Sequence, residues 1–395
     1  MKNINVLIID KDVLVRQALA RVLHSEPLIN IVAVRGSAED PGRHIASKNP
    51  DVLLLDIHSA DSGNMTVFKR IREQFPGLPI VVLSPRTKKG ALAAIAALRG
   101  GAVDVLTKPE YSNSVLFAER HFSKRLVPMV RAAAGLKNSK KIASGSPEPD
   151  SGPLDTPVHA RLASEKEKDR FVPVNLVTIG GCTGGLKALF SIIPGLPANF
   201  SVPVVIVQHL PRIYTSVLAD KLDEQSDIIV REAYDGAELE PGTVWVASGG
   251  YHSEIHREGN RNVIKSHRGR RERDNRPSID SLFRSARQLF GAGVLGVILS
   301  GTGRDGLIGA EIIRAAGGKI IVQDPETALV PEVPEAILRA GLTDEFYSES
   351  ELAEKIVKQV KQGRGTLPVR SGKRMAGSSA ALRSSGSQKD LFQLL

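Results

Sequence analysis

The sequence predicts an α/β fold in two units: an N-terminal (βα)5 domain, then a C-terminal doubly wound, mostly parallel sheet with an antiparallel portion. Two observations predict it. Short runs that are nearly all Val, Leu and Ile alternate with helical patterns over two long stretches, and such unbroken apolar strands belong to parallel sheets covered on both faces. Between the stretches lies a segment of Lys, Ser, Pro and Glu without apolar period, the composition of a solvated connection.

In the first unit NVLII, from Asn5, is a strand and VLVRQALARVLH the helix that follows it; INIVAV, DVLLLD, PIVVLS and VDVLTKP are further strands, with helices at VFKRIREQF and KKGALAAIAALR. Right-handed crossovers join them, and the domain is set at residues 1–118. Residues 119–170 are the linker, with one helix continuing through HFSKRLVPMVRAAA. The second domain, residues 171–360, opens at NLVTIGG and continues through VPVVIVQH, IIVREA, TVWVAS, VLGVILSG and GKIIVQD, interleaved with helices. SGGYHSEIHREGNRNVIKSH reads as an antiparallel hairpin turned at Glu258-Gly259-Asn260. Residues 361–395 are low-complexity and basic, a disordered tail.

The formal charge is +10 over 395 residues, which raises nucleic acid as a partner. Its distribution argues otherwise. Arg257–Arg276 holds eight Lys or Arg against three acids, and Arg364–Leu395 six against one, so the surplus sits on a loop and a tail rather than on a compact reading motif. Aromatic residues are 4 %, too few for a single-strand stacking platform. The loop and tail are expected to be solvated or to steer toward an acidic protein; no nucleic-acid partner and no membrane insertion are expected. The one cysteine and the lack of a long apolar run or secretory leader point to a reducing, cytoplasmic setting.

Asp10 and Asp56 close the first and third strands, Ser84 the fourth and Lys108 the fifth, and strand ends of a parallel sheet share one rim. Two acids, a hydroxyl and an ammonium there can hold Mg²⁺, accept a phosphoryl group and bind its oxygens. Over Asn5 to about Leu116 the domain resembles the receiver domain of two-component response regulators. The resemblance implies Asp56 as phosphoacceptor, Asp10 and Asp56 as metal ligands, Ser84 as the switch hydroxyl and Lys108 as the family's lysine. The family usually carries a second acid after Asp10, where Lys11 stands here, with Asp12 one residue later. The Lys11 ammonium would compete with Mg²⁺ for these carboxylates.

VTIGGCTGGLKALF reads as strand, tight turn and helix, with Gly180, Cys182 and Gly184 spaced G-x-C-x-G. That is the geometry of a nucleophile elbow, whose helix start lowers a thiol pKa and whose next amide faces an oxyanion; a phosphate loop or a buried small residue fits the same turn. His209 after VVIVQ and Asp305 in SGTGRDG offer a base and its orienter. The loop Gly301-x-Gly303-x-x-Gly306, with Asp324 after the next strand, also fits a dinucleotide fingerprint. His252, Glu254 and His256 alternate along one strand, either as a metal set or as a solvated face. Ser278 is placed as a helix N-cap and Arg276 beside it as a substrate contact.

From about Leu176 to Phe346 the chain looks like the catalytic domain of the chemotaxis protein-glutamate methylesterase family, through IGGCTGG, QHLP, RPSIDSLF and SGTGRDG in that order. The resemblance implies hydrolysis of γ-glutamyl methyl esters on methyl-accepting chemoreceptors, with glutamine deamidation as a side activity. It implies a sensor histidine kinase as the receiver's partner, no cofactor in the catalytic domain, and a receiver that covers the active site until phosphorylated. Cys182 stands where the family has serine, Thr183 keeps its position, and Thr302 stands where the family often has methionine. A Cys182-His209-Asp305 triad is expected to cleave esters. The alternative is a weak or inactive scaffold that binds chemosensory partners.

Overall fold

The computed structural model describes residues 3–36, 41–58, 63–109, 114–142 and 172–362. The first domain runs β1 (Ile4–Ile9), α1 (Val13–His24), β2 (Ile29–Arg35), α2 (Pro41–Lys48), β3 (Val52–Asp56), α3 (Gly63–Gln74), β4 (Ile80–Ser84), α4 (Lys88–Arg99) and β5 (Asp104–Thr107), then α5 (Val115–Phe122) and α6 (Leu126–Ile142). Its sheet is parallel in the order β2-β1-β3-β4-β5. Every residue of β3, β4 and β5 is buried, as their apolar runs require of strands with helices on both faces. The strand order reverses at β1, so the ends of β1 and β3 open side by side.

The linker expected from residue 119 is helical in its first part. Phe122, Leu126, Met129, Val130 and Ala133 recur at helical spacing and pack with Leu19, Leu23 and Leu106 in one cluster, so α5 and α6 complete the first domain's core. The remainder of the linker, residues 143–170, and the basic tail from residue 363 lie outside the described residues.

The second domain runs β6 (Leu176–Gly181), α7 (Gly185–Ile192), β7 (Val204–Gln208), α8 (Arg212–Asp223), β8 (Ile229–Glu232), β9 (Ala237–Glu238), β10 (Thr243–Val246), β11 (His252–Glu258), β12 (Arg261–His267), α9 (Ile279–Phe290), β13 (Val294–Ile298), α10 (Leu307–Ala315), β14 (Lys319–Gln323), α11 (Glu332–Arg339), β15 (Phe346–Tyr347) and α12 (Leu352–Lys361). Seven parallel strands order as β15-β14-β13-β6-β7-β10-β8, and β11, β12 and β9 form a small antiparallel sheet. The chain winds outward from β6 in both directions. The crevice beyond β6 and β13 is therefore the switch point where α/β sheets bind ligands.

The two domains share one apolar core. Ala91, Ala94, Ile95 and Leu98 form one face of α4, and Gly90, Ala93 and Ala97 lie on another, all buried. A helix apolar on more than one side is covered on more than one side, and α8 of the second domain packs against α4. A single cluster runs from Leu53 and Ile95 to Tyr214 and Leu218. Tyr214 of α8 seals this contact by donating its hydroxyl to the Pro85 carbonyl at 3.1 Å.

Candidate active site

Cys182 stands in the turn between β6 and α7. Gly184 takes φ +83°, and a Cβ there would fall 2.5 Å from Ser300 Oγ, so this step of the turn needs glycine. Gly301, on the loop after β13, comes so close that a Cβ would lie 2.9 Å from that of Cys182. Gln208 at the end of β7 donates to the Cys182 carbonyl at 2.6 Å, a brace that the sequence does not single out. Thr302 Oγ1 and Thr183 Oγ1 lie 3.7 and 3.9 Å from the sulfur.

Since β6 lies between β7 and β13, His209 after β7 and Asp305 after β13 converge on the cysteine. His209 Nε2 is 2.8 Å from Asp305 Oδ2. Its Nδ1 is buried with no hydrogen-bond partner among the described residues, and an imidazole held in this way can accept a proton from a neighbouring thiol. The imidazole thus presents the opposite nitrogens from a chymotrypsin-type triad. Asp305 also accepts from Ser278 Oγ at 2.9 Å and from the amides of Ile279 and Asp280 at 2.9 and 3.0 Å. Ser278 caps α9 as expected.

Burial pushes the Cys182 thiol up, but the charge and approach of His209, with Arg125 and Thr302 behind, pull it down to about 5. Burial pushes His209 down, and the thiolate and Asp305 outweigh it, lifting the imidazole to about 10. Asp305 lies below its usual range because the bond from His209 and the α9 amides outweigh burial. The pair is a thiolate and an imidazolium across the neutral range.

A cavity of about 850 Å³ opens over Cys182 and His209 with walls from both domains. The first domain contributes Thr107, Lys124 and Arg125; the basic loop contributes Arg271, Arg273 and Arg276. Arg276 donates through Nη1 to the carbonyls of Arg268 and Gly269 at 3.1 and 2.9 Å, so it pins that loop as well as facing the cavity. Lys124 and Asp274 form an ion pair across the domain boundary.

The dinucleotide alternative loses its phosphate seat. The amides of Gly306 and Gly309 at the start of α10 both donate to Asp280 Oδ1, at 2.9 and 2.7 Å, and Asp324 closes its own turn by accepting from the Glu326 amide. His252 is buried against His267, with ring centroids 5.4 Å apart, and Glu254 accepts from Ser281 Oγ. No group of three or more His, Cys, Asp or Glu side chains placed to hold a metal ion occurs among the described residues.

At the first domain's rim Lys108 Nζ lies 2.7 Å from Asp10 Oδ2 and 2.6 Å from Asp56 Oδ1. His58 Nδ1 lies 2.9 Å from the same Asp56 oxygen, a partner the sequence reading missed in IHSADSG. Burial raises Asp10 to about 6 despite Lys108, with Asp56 adding to the rise. For Asp56 burial is outweighed by His58 and Lys108, and its pKa falls below the usual range. Ser84 Oγ donates to the Gly90 carbonyl at 2.9 Å. Lys11 is exposed, and Asp12 caps α1 by accepting from the Leu14 and Val15 amides, so neither supplies the missing acid. Asp10 and Asp56 remain as oxygen donors, and two carboxylates are what Mg²⁺ commonly takes from a protein.

Two family descriptions match the chain, "CheB methylesterase" over residues 177–356 and "Response regulator receiver domain" over residues 6–118. A protein-glutamate methylesterase/protein-glutamine glutaminase of Trichodesmium erythraeum is 34 % identical over 360 residues, 91 % of this chain and all of that one. The protein of the same name from Thermotoga maritima is 31 % identical over 90 % of this chain and 98 % of its own length. The crystal structure of the Thermotoga maritima CheB methylesterase catalytic domain, at 34 % identity and TM-score 0.46, covers 47 % of this chain and 99 % of that one. The chain therefore belongs to the chemotaxis protein-glutamate methylesterase/glutaminase family and pairs a receiver domain with a methylesterase domain.

Proposed function

We propose that the protein removes methyl groups from γ-glutamyl esters on methyl-accepting chemoreceptors with Cys182 as nucleophile, His209 as base and acid, and Asp305 as orienter. The observation that carries this is the 2.8 Å contact of His209 with Asp305, with the other ring nitrogen left for Cys182. The thiolate attacks the ester carbonyl and the charge moves to its oxygen, for which the Thr183 amide is the donor. His209 gives its proton to the leaving methoxide, releasing methanol, and then draws a proton from the water that hydrolyses the thioester. Glutamine side chains follow the same course with ammonia leaving. Arg276 and the arginines beside it attract the substrate's acidic surroundings.

The receiver domain gates this site. Asp56 accepts a phosphoryl group from a sensor histidine kinase, Lys108 binds its oxygens, and Ser84 is the switch hydroxyl. Asp10 and Asp56 would hold Mg²⁺, which when bound neutralises charge on the phosphoryl group. Methanol release from methylated receptors, with and without a small phosphodonor, tests the reading. Release by the wild type and not by Cys182→Ala supports it; equal release by both refutes Cys182 as nucleophile, and release by neither refutes the reading in favour of a scaffold that docks its partners without turnover.

A further inference from the structure

Two hydroxyls flank the sulfur of Cys182, Thr302 Oγ1 at 3.7 Å and Thr183 Oγ1 at 3.9 Å. They differ in what else they face. Thr183 is fully buried and forms no part of the cavity wall, whereas Thr302 is half-buried and lines the cavity beside Cys182 and His209. Of the two, the Thr302 hydroxyl is the one that an ester carbonyl meets on its way to the sulfur.

The loop that carries Thr302 is tied to the nucleophile turn. The Cys182 amide donates to the Ser300 carbonyl at 3.1 Å, and Ser300 Oγ donates to the Thr183 carbonyl at 2.7 Å. On its other side the Gly301 amide donates to the Val330 carbonyl at 3.0 Å, and the Gly301 carbonyl accepts from the Val333 amide at 3.3 Å. Thr302 follows these fixed residues, so its hydroxyl can turn while its backbone stays in place. The turn is as firmly held: Asp104 of the first domain, 1 % exposed, accepts from the Gly184 amide through Oδ2 at 2.8 Å, and Gln208 braces the Cys182 carbonyl.

The reaction moves charge past this hydroxyl. At rest the charge is on sulfur, against which Thr302 lies. As sulfur bonds the ester carbon, the π pair of the carbonyl moves onto its oxygen, and the hydroxyl is released by one acceptor as the other gains charge. The Thr183 amide makes no backbone hydrogen bond among the described residues and is one donor to that oxygen. It is fixed in the turn, and the long bonds of sulfur carry the reacting carbon outward, away from it. A donor misplaced in this way loses much of its effect, and a hydroxyl on the neighbouring loop closes the gap. His209 and Thr302 follow the two strands that flank β6, so the group that protonates the methoxide and the one offered to the oxygen come from different sides of the nucleophile's strand.

We propose that Thr302 is a catalytic residue, whose hydroxyl passes from the thiolate to the carbonyl oxygen as the carbon–sulfur bond forms and serves as the second donor to the oxyanion. It donates a hydrogen bond and transfers no proton; the proton for methoxide comes from His209. The proposal rests on Cys182 as nucleophile.

Thr302→Val keeps the shape of the side chain and removes the hydroxyl, and Thr302→Ser keeps the hydroxyl. Formation and hydrolysis of the thioester both pass through an oxyanion, so kcat for methanol release from methylated receptors falls whichever step limits it. The fall in Thr302→Val is about ten- to a hundredfold with KM little changed, while Thr302→Ser stays within about threefold of the wild type. Alkylation of Cys182 by iodoacetamide forms no oxyanion, and at neutral pH its rate in Thr302→Val stays within about threefold, because His209 still keeps the thiol ionised. Thr302→Ala serves if Thr302→Val does not fold. An unchanged kcat in Thr302→Val overturns the proposal, as does an equal loss in Thr302→Ser, which would make the residue a packing contact. A parallel loss in alkylation overturns it too, since the hydroxyl would then only hold the sulfur in place. Full release by Cys182→Ala refutes the nucleophile reading instead, whereas release lost there and unchanged in Thr302→Val refutes the role of Thr302 alone.

Discussion

His209 Nε2 and Asp305 Oδ2 lie 2.8 Å apart, and the same carboxylate accepts from the Ser278 hydroxyl and the amides of Ile279 and Asp280. The Asp305 carboxylate is thus fixed by the start of α9 as well as by the imidazole. Asp305→Asn loses the charge that stabilises the imidazolium and can settle the wrong tautomer. Its kcat/KM for methyl ester falls on the order of 10³-fold or more, with alkylation of Cys182 slowed at neutral pH. Steady-state methanol release and iodoacetamide kinetics check both.

The pH profile follows from the two shifted groups. The thiolate is needed for attack and is lost as pH falls through about 5; the imidazolium is needed for methanol departure and is lost as pH rises through about 10. The plot of kcat/KM is a broad plateau between those limbs. Cys182→Ser moves the acidic limb upward, because a serine hydroxyl stays protonated and His209 must then be neutral to act as its base.

Restoring an acid beside Asp10 strengthens the metal site. Lys11→Asp adds a carboxylate next to Asp10, and Mg²⁺ affinity, which follows ligand charge, rises on the order of tenfold. Titration calorimetry measures this, and the rate of Asp56 phosphorylation by a small phosphodonor rises with it.

Loosening the domain contact raises resting activity. Tyr214→Phe deletes the hydroxyl that reaches the Pro85 carbonyl across the boundary, a bond worth about 1 kcal/mol. Methanol release without phosphodonor increases several-fold, and the further stimulation by phosphodonor shrinks. The activity ratio with and without phosphodonor is the readout.

Both sheets were legible because parallel strands buried on two faces leave unbroken runs such as VLLLD and VVIVQ. The hairpin was legible because Glu258 pairs with Arg261 around a turn whose Gly259 has φ +58°. The packing of the helix after residue 118 was not: the polar residues between Phe122 and Ala133 hide an apolar stripe that only α1 and β5 make meaningful. His58 was missed because a histidine two residues past a strand end carries no pattern of its own. Asp104 was missed for a different reason, since its partner Gly184 lies 80 residues away and is a backbone amide, which leaves no trace in side-chain identity. The one local hint of the domain contact was KKGALAAIAALR, a helix with no polar face.

In the proposed gating, that helix also makes the closed state sensitive to temperature. Parting α4 from α8 moves alanine methyls and the side of Tyr214 from a shared interior into water, and hydrating such surface raises the heat capacity. Apolar attraction weakens on cooling, so the closed form loses ground as temperature falls. The balance between shut and open enzyme is then curved in temperature, and a cell growing in the cold would carry a larger unstimulated fraction of active enzyme at the same level of phosphorylation.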